Sequence, residues 1–285
     1  MDMSIENLQE DQLLSILFCF CGLSEKFKND QRLLKCIDVC SYGIERFRNN
    51  NHINYYSILT LLYLSKSSLE NQFQISQVLP IQSIIHLLTT IEDVKTIIII
   101  IRLSKNIMKV SNQIKLLYVK NGLIDVISSI GNQTCDIILI ETILKCFIES
   151  TRQTTVDLIK NQNFYNCIIN IWTLHLPLHI NELCLKVIEV SFNESNDIWN
   201  IISTNFLKFL VDSLQHTETI IVYRILKLIQ ALLRREENLN YGITEYIIEN
   251  DGINQLDYCI QSHQTNVSSI AQEIKEEFFD RFISN

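Results

Sequence analysis

VKNGLIDVISSI, residues 119–130, sets a glycine, Gly122, between the end of one apolar run and the start of another. The same arrangement returns as KNQNFYNCIINIW (160–172, broken at Asn163), ISTNFLKFLVDSL (202–214, at Asn205) and IENDGINQLDYCI (248–260, at Gly252). Upstream, SQVLPIQSIIHLL (76–88) carries Pro80 at the corresponding place, and KNDQRLLKCIDVC (28–40) is a weaker copy near Asp30. The five clear breaks are separated by 42, 41, 42 and 47 residues, and the long last step holds an insertion, REENLNYGITE, at 235–245. Such self-similarity marks a chain of supersecondary units, none of which buries its apolar face alone.

Between the breaks the spacing is helical. Ile225, Leu228, Ile229 and Leu232 alternate at three and four residues, and Val187 and Ser191 follow Leu183 at four and eight, which places each set on one stripe. Each break is followed by a helix of about ten residues, a polar loop such as GNQT or LQHTET, and a helix of about fifteen, a unit length that belongs to armadillo and HEAT arrays. A tight turn at Gly or Asn between a short first helix and a second suits the armadillo unit. The expected fold class is therefore all-α, a right-handed superhelical solenoid of armadillo-type repeats with a concave face. It is expected to run as one domain over residues 1–285, with breaks near 80, 122, 163, 205 and 252, a weaker unit near 30 and a C-terminal capping helix at 266–283.

Composition agrees. The chain is 47% hydrophobic with only 6 Gly and 2 Pro, too few for the turns of a sandwich or barrel or for a glycine-rich phosphate loop. A net charge of −8 argues against nucleic acid as a partner, because a phosphate backbone is held by a basic field. An acidic groove would instead attract basic segments of other proteins. The nine cysteines lie largely within apolar helical runs and read as reduced, buried thiols. The runs Leu13–Leu23 and Ile97–Ile101 fall well short of the roughly 20 residues that cross a bilayer, so no membrane association is expected.

No catalytic centre, metal site or cofactor is expected. His175 and His179 stand four apart with Glu182 nearby, a spacing that suits zinc on a helix. Pro177 between them places the pair in a loop, and no third ligand is evident. Cys19 and Cys21 point to different helix faces, and Cys36 and Cys40 share one, as core residues do. Nucleophile-elbow, zincin, Walker and dinucleotide fingerprints are absent from the sequence.

The last 80 residues resemble the final two repeats of importin-α. The resemblance rests on the charged insertion at 235–245, Ile248-Glu249, Gly252-Ile253, the loop Ile260-Gln261-Ser262-His263, and a closing helix from Ala271 to Phe278-Phe279. It implies an adaptor that binds basic nuclear-localisation peptides in the cytoplasm and nucleus, with importin-β-type and export-receptor-type transport factors as further partners. The basic importin-β-binding segment of that family has no counterpart in the first 12 residues, which hold no Lys or Arg. The family's Trp-x-x-x-Asn ladder is also missing: Leu176 follows Trp172 at four, and Ser203 follows Trp199. Asn106 stands in one asparagine slot and Glu189 in another, with Glu141 and Glu182 beside them on third helices. These four are the candidate peptide-binding residues. The alternative is an armadillo scaffold that has lost the localisation-peptide site and binds other proteins.

Overall fold

The computed structural model describes residues 8–27, 30–152, 161–193, 204–236, 242–262 and 265–280, and among these every regular element is helical. The chain is an all-α repeat protein of the solenoid class. It divides into two compact units, residues 1–167 and 168–285.

The first unit opens with α1 (Glu10–Lys26), a 3₁₀ turn (Gln31–Lys35) and α2 (Cys36–Arg46). There follow α3 (Asn51–Ser65), α4 (Leu69–Val78), α5 (Ile81–Thr90), α6 (Val94–Met108), α7 (Asn112–Lys120), α8 (Leu123–Gln133) and α9 (Ile137–Thr151). Helix α10 (Gln162–Thr173) contains the boundary between the units. The order is first, second and third helix of a repeat: α4, α5, α6, then α7, α8, α9. Third helices stack on one another, α1 on α3, α3 on α6 and α6 on α9, while the second helices α5 and α8 pair alongside.

Local chemistry fixes where these helices start. Third helices begin at Asn50, Asp93 and Asp136, each capping N–H groups of the first turn; Asp93 accepts from Thr96 N–H and Asp136 from Leu139 N–H, both at 2.8 Å. First helices begin at Ser68 and Ser111, whose hydroxyls accept from Asn71 and Ile114 N–H. A side-chain cap contributes about 1 kcal/mol, so each restates the register of its repeat. The first-to-second corner is made at Pro80, which cannot continue a helix, and at Gly122, which adopts φ +86°.

The Ile97–Ile101 run is buried all round, as befits a helix with a neighbour on each side: α3 packs against one flank of α6 and α9 against the other. Burying one such side chain contributes about 1.5–3 kcal/mol. Polar bonds tie neighbouring repeats in register: Asn106 Nδ2 donates to Ser65 Oγ (2.9 Å), and Gln82 Nε2 to Asn121 Oδ1 (3.2 Å).

The second unit contains α11 (Leu178–Asn193), α12 (Thr204–Asp212), α13 (Thr219–Glu236), α14 (Ile243–Glu249), α15 (Gly252–Ser262) and α16 (Thr265–Ile274), the last extended by a π-type turn at Lys275–Phe279. The third helices α11, α13 and α16 again stack in sequence. The stripe Ile225, Leu228, Ile229 and Leu232 is buried, and so are Ile270, Ile274, Phe278 and Phe279 at the tail. Trp199, His263 and Phe282 lie outside the described residues. Buried Glu236, in the insertion, accepts from the N–H groups of Ile243 and Thr244 and caps α14.

Two expectations change in detail. The break at 252 is made by Asp251, at φ +65°, and Gly252 is the first residue of α15. Its lack of a side chain serves packing: a Cβ there would lie 2.4 Å from Ile247 Cγ2 and 2.7 Å from the Ile247 carbonyl oxygen. Of the nine free thiols, Cys19 and Cys135 are exposed, Cys19 because its stretch of α1 also turns Phe18 and Leu23 to solvent.

Candidate functional site

Third helices carry all four candidate residues, two in each unit. Asn106 is half-buried on α6, bonded to Ser65 as described. Glu141, on α9, meets Lys145 Nζ one turn along at 2.5 Å. In the second unit Glu189 receives both Nε and Nη2 of Arg224 at 2.7 Å, a two-pronged pair between α11 and α13. The main-chain oxygen of Glu182 lies 3.5 Å from Nη1 of the same arginine. Arg224 thus touches the main chain of Glu182 and the carboxylate of Glu189 on one helix. Two of the three carboxylates expected to face a ligand are taken up by the chain's own cations.

A buried network, unmarked by any local motif, joins α7 and α9 in the first unit. Glu149 takes the α9 position that Asn106 holds in α6 and Tyr63 in α3, at intervals of 43 residues. It is almost fully buried and pairs with Lys115 Nζ at 3.1 Å. Lys115 comes from the first helix α7 and also donates to the Arg152 carbonyl oxygen (3.1 Å), while Arg152 Nη1 stands 3.7 Å from the other Glu149 oxygen. A buried ion pair with a further carbonyl partner holds two helices at one spacing.

The same helices carry a strip of cations. Lys66, Lys109 and Arg152 each cap the C-terminus of a third helix, 43 residues apart, and Arg102 and Lys145 repeat at the same interval one to two turns earlier. All five are exposed. Lys66 Nζ lies 5.3 Å from the centre of the Tyr63 ring. Half-buried Lys105 sits among them; burial pushes its ammonium pKa down, and Lys109, Lys145 and Arg102 push it the same way against an opposing pull from Cys146. Arg102, Lys105 and Lys109 have no anionic partner among the described residues. The signal was present in the 43-residue spacing of basic residues, which the net charge of the whole chain conceals. Residues 1–167 hold 16 Lys and Arg against 16 Asp and Glu, whereas residues 168–285 hold 8 against 16. The acidic excess belongs to the second unit.

Elsewhere little chemistry is assembled. Among the described residues no three His, Cys, Asp or Glu side chains are grouped to hold a metal ion, and no helix is long and apolar enough to cross a membrane. His175 lies in the loop before α11, and His179 is exposed in that helix's first turn. Burial raises the thiol pKa of Cys36 to about 11 and of Cys146 and Cys167 to about 12, the reverse of what a nucleophile needs.

No protein-family model matches the chain, and no curated protein matches it. Among solved structures 121 chains match. One is the crystal structure of an engineered protein, a structural-genomics target, with a TM-score of 0.69 and 10% sequence identity. The match covers 96% of this chain, which spans 66% of the length of that one. At that identity the likeness is one of fold alone, and an all-α repeat architecture is what the two proteins share.

Proposed function

We propose that this chain is a protein-interaction scaffold of armadillo-type repeats, with no catalysis of its own. The observation that carries this reading is the state of the third-helix carboxylates. A groove that grips Lys-rich peptides needs acidic side chains free for the ligand. Glu189 is held by a two-pronged pair with Arg224 and Glu141 is paired with Lys145, so a basic peptide would compete with each of these partners. The paired Trp-x-x-x-Asn side chains that would add packing and backbone bonds are missing from the sequence, with Asn106 alone in an asparagine slot.

An importin-α-like adaptor is the second reading. It is favoured by the acidic excess of residues 168–285, which include the last 80 residues that carry the resemblance. One titration separates the two. A fluorescent Lys/Arg-rich decapeptide, added to the full chain in low salt, is expected to show no saturable binding below about 100 μM, where the free energy of association is only about −5 to −6 kcal/mol. Saturable micromolar binding that Glu182→Lys weakens would restore the adaptor.

A further inference from the structure

We propose that the third-helix face of the first unit is a docking strip for an acidic segment of a partner protein, with Arg102, Lys105 and Lys109 as its central contacts. The inference rests on the scaffold reading and names the chemistry of the partner.

Three observations carry it. Arg102, Lys105 and Lys109 follow one another at three and four residues, so they share one face of α6. Lys145 of the adjacent α9 belongs to the same field, since it acts on the Lys105 ammonium together with Arg102 and Lys109. Cations normally draw carboxylates close, yet these three pair with none among the described residues, and Lys105 is half-buried among like charges. Within residues 1–167 positive and negative charges balance, so this strip is a local concentration of charge and not the edge of a basic domain. An incoming carboxylate would supply the counter-charge that the fold leaves out.

The spacing suits an extended polypeptide. Neighbouring helix axes lie about 8–10 Å apart, and an extended strand rises about 3.3 Å per residue. A carboxylate at roughly every third position therefore meets the successive rows Lys66, Lys109 and Arg152. Asn106, whose Nδ2 is held by Ser65, is half-buried on the same helix. Nucleic acid fits less well: it presents phosphates on a surface far wider than one strip, and the chain as a whole repels it at −8.

The test is fluorescence anisotropy on the full chain with a labelled dodecapeptide carrying Glu at every third position and Ser or Gly between. A Lys analogue and an oligothymidylate of equal length run alongside. The acidic peptide is expected to bind saturably in low salt and to weaken steeply as salt is raised. Arg102→Glu with Lys109→Glu should weaken it at least about tenfold, whereas the same charge change at exposed Lys35 and Lys120 should not. Circular dichroism checks folding, and Arg102→Gln with Lys109→Gln replaces the reversal variant if that one is unfolded. Absence of acidic-peptide binding, or equal loss in the control variant, overturns the inference. Tighter binding of the oligothymidylate through the same residues overturns it in favour of a nucleic-acid face. The Lys peptide reports on the scaffold reading separately: if neither peptide binds, only the docking strip falls, and if the Lys peptide alone binds, both fall.

Discussion

Removing either half of the Lys115–Glu149 pair should injure the protein unequally, and removing both should injure it least. The pair lies 3.1 Å apart with both side chains at 9% exposure or less. Loss of one partner of a buried pair costs about 3–5 kcal/mol, because the survivor is left charged in a poor solvent. Here the survivors differ. Glu149→Leu strands the Lys115 ammonium with one carbonyl oxygen, that of Arg152. Lys115→Met leaves Glu149 with the Arg152 guanidinium at 3.7 Å, which is half-exposed and can swing closer. We expect about 3–5 kcal/mol for Glu149→Leu and about 2–3 kcal/mol for Lys115→Met, with the double variant below either single loss. Urea titrations followed at 222 nm, with slopes compared to check that the same surface unfolds, give the three values. Additive losses would refute the reasoning, since they would mean that the two charges do not stabilise one another across α7 and α9. So would single losses under about 1 kcal/mol, the range of exposed pairs.

Three further outcomes are expected. Gly252→Ala should destabilise by about 1–3 kcal/mol in thermal melts, because its Cβ would overlap the Ile247 main chain, which cannot step aside; Gly22→Ala, with open space around it, serves as the control. Phe279→Ala, at a fully buried ring, should cost about 3–5 kcal/mol, and a loss under about 1 kcal/mol would show that the tail is not docked. His216 should make the second unit acid-sensitive. Burial lowers its pKa from 6.5, against an opposing pull from Glu218; its Nδ1 accepts the Glu218 N–H, and the Asn181 amide lies 3.3 Å from Nε2. With the folded value below the unfolded one, the unfolded chain binds more protons in that window, so stability is complete above pH 6.5 and falls as pH drops beneath it. The urea midpoint of the wild type should fall more between about pH 7.5 and pH 5.5 than that of His216→Gln, and equal falls would remove His216 from the account.

The fold was legible because the marks that set it are local. Pro80 and Gly122 declare a corner within a few residues, and the apolar stripe of α13 needs only its own helix to be read. The charge pattern was less legible for a physical reason. Whether Glu189 faces a ligand or Arg224 is decided by the neighbouring repeat, 35 residues away, and by the rotamers of two long side chains. Nothing in the spacing of Glu149 announces that Lys115 reaches it from another helix. Gly252 was recognised as a break but for the wrong cause, since a left-handed turn and a close packing contact both select glycine and differ by one residue in place.

The bonds that tie one repeat to the next have a bounded reach along the chain. Ser65 to Asn106 spans 41 residues, Gln82 to Asn121 39, Glu189 to Arg224 35, and Arg234 to Glu277 43. Each is about the length of one repeat. A chain wired in this way closes loops of one size only, so the entropy of closure does not grow as repeats are added. Its folding time should then follow the repeat, not the 285-residue whole. It also follows that excising one complete repeat, such as residues 68–110, brings like positions face to face again, since Ser111 then follows Ser67 where Ser68 did. Lengthening or shortening the array by whole units is a smaller change to this protein than deleting three residues inside one helix.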